Sequence, residues 1–116
     1  GAETAAALKA VTHPNLQVVW DPCNALVSGE NPFPEGYGKV PIDRIIHVHA
    51  KDCRIVDGKY IFGPLGTQEV DWKGHIAALL ADGYKGYTSL ETHWPGPNGE
   101  KKTASVIFGE NLKGLL

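Results

Sequence analysis

The spacing of apolar residues changes along the chain, and each change marks a new element. Residues 3–11 (Glu-Thr-Ala-Ala-Ala-Leu-Lys-Ala-Val) are strong helix formers. Thr12-His13-Pro14-Asn15 stops that helix, because the residue before proline is pushed out of the helical region. Residues 16–20 predict a buried strand with Val18 and Trp20 on one face and Gln17, Val19 and Asp21 on the other. Asp21-Pro22 ends it, since proline has no N–H for the ladder. Residues 22–44 are broken by Pro22, Pro32, Pro34 and Pro41. They are long enough for a crossover between parallel strands, and predict an irregular loop with a short helix near Tyr37–Asp43.

A second strand follows, Ile45-Ile46-His47-Val48-His49-Ala50-Lys51-Asp52. Alternation puts Ile45, His47 and His49 on one face and leaves Ile46, Val48 and Ala50 as an apolar wall on the other. Residues 54–62 predict a small hairpin, because Asp57-Gly58 sits between two apolar runs. Asp71 caps a helix whose apolar stripe is Trp72, Ile76, Leu79 and Leu80, closed by Gly83. Residues 84–91 predict a third strand, with Thr88 and Leu90 opposite Tyr87, Ser89 and Glu91. After the Pro95–Gly99 loop, a helix from about Thr103 places Ala104, Ile107, Phe108, Leu112 and Leu115 on one side. Strands alternating with helices imply an α/β fold with a parallel sheet.

Each strand ends in a polar side chain on the face away from its wall: Asp21, His49 and Glu91. Parallel strands bring their carboxyl ends together, where ligands bind in α/β folds. Carboxylate, imidazole and carboxylate suit a divalent metal such as Mn, Mg, Co or Zn. His47 lies on the same face one layer deeper, which suits a packed, hydrogen-bonded support. Lys51 and Asp52 read as a pair at the rim, with Lys51 able to hold a phosphate. His93 and Trp94 follow Glu91 at the mouth, where Trp94 either stacks on a substrate or covers the core. Trp72 reads as core.

The chain has 116 residues and a formal net charge of −2 without a run of like charge. That argues against nucleic-acid binding. The chain contains no transmembrane run, so no membrane partner is expected. Two cysteines, Cys23 and Cys53, predict buried free thiols just past neighbouring strand ends and a cytoplasmic setting. The chain starts without Met, already in a helical pattern, and so reads as a piece of a longer protein.

Four stretches carry a family resemblance: Val19–Asn24, His47–Asp52, Gly66–Trp72 and Gly83–Trp94. In order and spacing they resemble the sugar phosphate isomerase/epimerase superfamily, the xylose isomerase-like TIM barrels also known as apurinic endonuclease family 2. The resemblance implies a partial TIM (β/α)8 barrel: one domain over residues 1–116, corresponding to strands six to eight and a hairpin. A whole barrel takes about 250 residues. The resemblance makes Asp21, His49 and Glu91 the metal ligands of those strands, with Glu91 also an acid/base. Asn24 falls where many epimerases carry a substrate-binding His. Arg54 lies near a substrate-binding Arg, one residue short of the family spacing. A fourth ligand, a Glu on the fifth strand, would precede Gly1, and Glu3 does not replace it.

The implied reaction is metal-dependent isomerisation or epimerisation of a sugar or sugar phosphate, with little turnover expected from these residues alone. One alternative is phosphodiester hydrolysis as in the endonuclease relatives, although Asn24 stands where those use a metal ligand. Another is a non-catalytic oligomerising module. Three strands leave two open edges, so a homo-oligomer or swapped dimer is expected.

Overall fold

A computed structural model describes residues 1–116. Its centre is a three-stranded parallel sheet: β1 (Val18–Trp20), β2 (Ile45–Ala50) and β5 (Tyr87–Leu90), with β2 in the middle. Cys53–Val56 (β3) and Lys59–Phe62 (β4) form the expected antiparallel hairpin. Asp57 and Gly58 both take positive φ at its turn, as a two-residue hairpin turn of this type requires. The helices are α1 (Ala2–Ala10), α2 (Pro22–Val27), α3 (Trp72–Ala81) and α4 (Lys101–Leu115).

One sheet face is packed. Val48 and Ala50 lie against a core that includes Trp20, Leu65, Trp72, Leu79 and Phe108. The other face carries Val19, His47, His49, Tyr87, Ser89 and Glu91, none of them buried. In a closed barrel that face would be the interior. The α/β class, the parallel strands, the hairpin and the partial barrel are therefore as the sequence implies.

Several details differ, each for a local reason. β1 starts at Val18 rather than at residue 16 because the Arg44 guanidinium takes the Leu16 carbonyl, with Nε 3.1 Å away. Asp21-Pro22 does not only end a strand. It starts α2, with Asp21 as N-cap and Pro22 in the first turn, where the missing N–H costs nothing. The short helix expected near Tyr37–Asp43 is two separate 3₁₀ turns, Tyr37–Lys39 and Ile42–Arg44, divided by Pro41.

The apolar wall of β2 is also rearranged. Its register to β1 runs Val18–Ile45, Val19–His47, Trp20–Val48, so Ile46 is an extra residue in a bulge. Ile45 is consequently 4% exposed and Ile46 45% exposed, the reverse of simple alternation. On α3 the buried stripe is Trp72, His75, Ile76 and Leu79, while Leu80 is 61% exposed. β5 begins at Tyr87 because Tyr84 is used to close α3, its N–H donating to the Leu79 carbonyl at 2.9 Å. α4 begins at Lys101, two residues early, and buries Ala104 and Phe108.

Candidate metal centre

Asp21 is positioned twice over. It follows the last residue of β1 and caps α2, with Oδ1 accepting the Asn24 N–H at 2.9 Å. That leaves Oδ2 buried and free to turn toward the strand ends, with no hydrogen bond of good geometry. His49 comes from β2, and its Nδ1 lies 3.8 Å from Asp21 Oδ2 and 3.5 Å from Glu91 Oε2. Glu91 extends the β5 ladder, its N–H donating to the Ala50 carbonyl at 2.9 Å. One donor atom from each of the three residues lies within 4.8 Å of the others.

The donor set fits a divalent ion. Metal–ligand bonds of about 2.1 Å put tetrahedral ligands about 3.4 Å apart, close to the separations from His49. An oxygen, nitrogen, oxygen set with no thiolate suits the harder divalent metals and zinc.

His47 sits beneath, as expected of a support. Its Nε2 lies 2.7 Å from Ser89 Oγ, and its ring meets the His49 ring edge-on at 5.4 Å.

Lys51 and Asp52 are not a rim pair. Lys51 is two residues past His49, so it points to the same side, and it is 3% exposed. Its ammonium lies 2.9 Å from Asp21 Oδ2 and 2.5 Å from Glu91 Oε2. Burial opposes that charge, but the hydrogen bond to Glu91 and the ion pair with Asp21 outweigh it and hold the Lys51 pKa above its usual value. The same contact holds the Glu91 carboxyl below the usual carboxylate range. Glu91 is thereby kept ionised, the form in which it ligates or accepts a proton.

Asp52 points the other way and is fully buried. It accepts N–H groups from Gly66 (2.8 Å), Gln68 (3.1 Å) and Val70 (3.2 Å), and so shapes the loop before α3. Burial pushes its pKa up to about 6 against the pull of those donors.

The remaining sequence candidates lie at varied distances from this group. His93 Nε2 is 3.7 Å from Glu91 Oε1, and its ring packs on Phe62. Trp94 is half-buried against the core, so it covers rather than projects. Asn24 is exposed and lines a groove with Val19, Trp20 and Asp21. Arg54 is exposed, with Nη1 donating to Gln68 Oε1 at 2.9 Å, and pairs with none of the three candidate ligands. The thiols of Cys23 and Cys53 are buried, free and 3.1 Å apart.

Sequence reasoning missed three buried polar groups, Lys51, Asp52 and His75. Lys51 was legible in principle, because i and i+2 share a strand face. His75 was not. Its ring lies among Trp20, Phe33, Tyr37 and Trp72, which come from three separate segments.

Parallel strands joined through helices, with polar residues gathered at their carboxyl ends, define part of a β/α barrel. The chain belongs to the xylose isomerase-like TIM barrel family, whose model matches residues 1–108. A xylose isomerase domain protein from Planctomyces limnophilus superposes with a TM-score of 0.76 at 29% identity, over 99% of this chain and 44% of that one. One from Alicyclobacillus acidocaldarius gives 0.68 at 23%, over 98% and 42%. The IolI protein, solved with a zinc atom, gives 0.68 at 21%, over 99% and 41%. The chain thus spans less than half the length of these solved structures. No curated protein matches it. No helix is long and apolar enough to cross a membrane.

Proposed function

We propose that residues 1–116 form the C-terminal part, strands six to eight, of a divalent-metal-dependent isomerase or epimerase acting on a sugar or sugar phosphate. The observation that carries this reading is the convergence of Asp21 Oδ2, His49 Nδ1 and Glu91 Oε2 from three adjacent parallel strands. Family membership and the zinc of the IolI structure lend support.

Asp21, His49 and Glu91 would hold the ion. When bound, it supplies Lewis-acid polarisation of a carbonyl and an adjacent hydroxyl. The chain's own residues do the rest. Glu91 would accept the proton from the carbon beside the carbonyl and later return it, by way of an enediolate. His47 fixes the level of the site through Ser89. His93, beside Glu91, would contact a substrate hydroxyl. Asn24 lies along the groove beside Asp21, where it binds a hydroxyl. Arg54, on the hairpin, reaches a substrate only after leaving Gln68. Residues 1–116 offer three ligands and one acid/base, so we expect little turnover from them alone.

The test is metal binding. Dialysed protein titrated with Mn²⁺ or Zn²⁺ in a calorimeter binds one ion per chain, and His49→Ala or Glu91→Gln abolishes the binding. Undiminished binding in both variants would place the ion elsewhere and remove the reading.

A further inference from the structure

We propose that Lys51 is a tethered cation that holds the metal position and must swing aside for an ion to enter. The inference rests on the metal reading above and concerns what controls loading of that site.

Its basis is which atoms Lys51 uses. The ammonium does not contact the outer oxygens of the two carboxylates. It contacts Asp21 Oδ2 at 2.9 Å and Glu91 Oε2 at 2.5 Å. These are the same oxygens that face His49 Nδ1 at 3.8 and 3.5 Å. The alternative oxygen of Asp21 is committed to the α2 cap. A metal ion and the ammonium therefore compete for one pair of oxygens. Two cations sharing those oxygens in a buried place would also repel each other strongly.

The structure also fixes how Lys51 can leave. Its backbone is anchored, because the buried Trp72 indole N–H donates to the Lys51 carbonyl at 3.0 Å. Displacement is thus a rotation of the side chain about a fixed strand end. The Asp21 side is closed, with 7% of that side chain exposed. The Glu91 side is open, with 38% exposed. The ammonium swings past Glu91 toward the mouth, which leaves Asp21 Oδ2 and Glu91 Oε2 to the ion.

A site open only part of the time binds more weakly in proportion to its open fraction. With Lys51 in place most of the time, removing its charge should tighten metal binding by about tenfold or more. The experiment measures Mn²⁺ affinity by calorimetry for the wild type and for Lys51→Met, which keeps most of the buried stem. A second measurement uses the wild type alone, so that it stands if the variant folds poorly. Acetic anhydride labelling of Lys51 is read by peptide mass spectrometry with and without saturating Mn²⁺. The expected result is tighter binding in Lys51→Met and a rise in Lys51 acetylation when metal is added. Equal or weaker binding in the variant, or a Lys51 still protected at saturating metal, overturns the gating role while leaving the metal site intact. Failure of both proteins to bind metal overturns the metal reading and this inference together.

Discussion

The indole N–H of Trp72 donates to the carbonyl of Lys51, 3.0 Å away. It ties the first residue of α3 to the position where β2 leaves the sheet. The bond is buried, so losing the donor strands a carbonyl without water to replace it. Trp72→Phe should cost about 1–3 kcal/mol, read as a lower urea midpoint with an unchanged m-value. A midpoint within error of the wild type would show that the strand end is held by packing alone.

Asp21 divides its two oxygens between a helix cap and the candidate centre. Asparagine caps as well as aspartate, whereas alanine does not. Asp21→Asn should therefore lose metal affinity and keep the cap, while giving up the charge that faces Lys51. Asp21→Ala should lose both, with about 1 kcal/mol gone from the cap. Calorimetric titration and urea unfolding of the two variants together separate the roles. Equal destabilisation in both would mean that the charge, not the cap, matters to folding.

Asp52 gathers three backbone N–H groups of the loop before α3. Asp52→Ala leaves those donors without an acceptor and should cost about 3 kcal/mol. Hydrogen exchange at Gly66, Gln68 and Val70 should quicken more than exchange in β2. Unchanged exchange at the three amides would count against the role.

His75 is wholly buried, and burial lowers its pKa, opposed by its hydrogen bond to the Asp71 carbonyl and by the Asp71 charge. Below about pH 6.5, the ordinary histidine value, the unfolded chain binds a proton that the folded chain resists. The stability tied to a neutral His75 is complete above that pH and is lost as pH falls below it. Asp52 works in the opposite sense. Its pKa is raised to about 6, so the folded state holds that proton more tightly and loses stability as pH rises toward 6. The His75 contribution is isolated by difference. The stability of wild type minus His75→Phe should fall between pH 7.5 and pH 5.5 in urea titrations. A difference independent of pH would show that His75 titrates normally.

β1 and β5 each pair only with β2, so the sheet has two unpaired edges. Val19 and Tyr87 are exposed on the open face. The chain should self-associate, seen as a mass above one chain that rises with concentration in light scattering. A single-chain mass at high concentration would dispose of this expectation.

The three candidate ligands were legible in the sequence because they sit where period-2 segments stop. Parallel strands must then bring those stops together, whatever the length of the crossovers. The hairpin and the α3 cap were legible because Asp57-Gly58 and Asp71 act on their own immediate neighbours. His75 and Leu80 were exchanged on α3 for the opposite reason. Both flank the Trp72–Ile76 stripe, and only the nest formed by Trp20, Phe33 and Tyr37 decides which flank is covered. α2 was hidden because Asp21-Pro22 ends a strand and starts a helix with the same two residues.

The extra residue at Ile46 resets the phase of the middle strand. Below it, Ile45 seats the strand in the core; above it, His47, His49 and Lys51 all turn toward the open face. Anchoring and chemistry on β2 are thus set by separate stretches of backbone, out of step with one another. Straightening the strand with Ile46 kept would bring them back into step: either the imidazoles would turn into the core or Ile45 would be expelled from it.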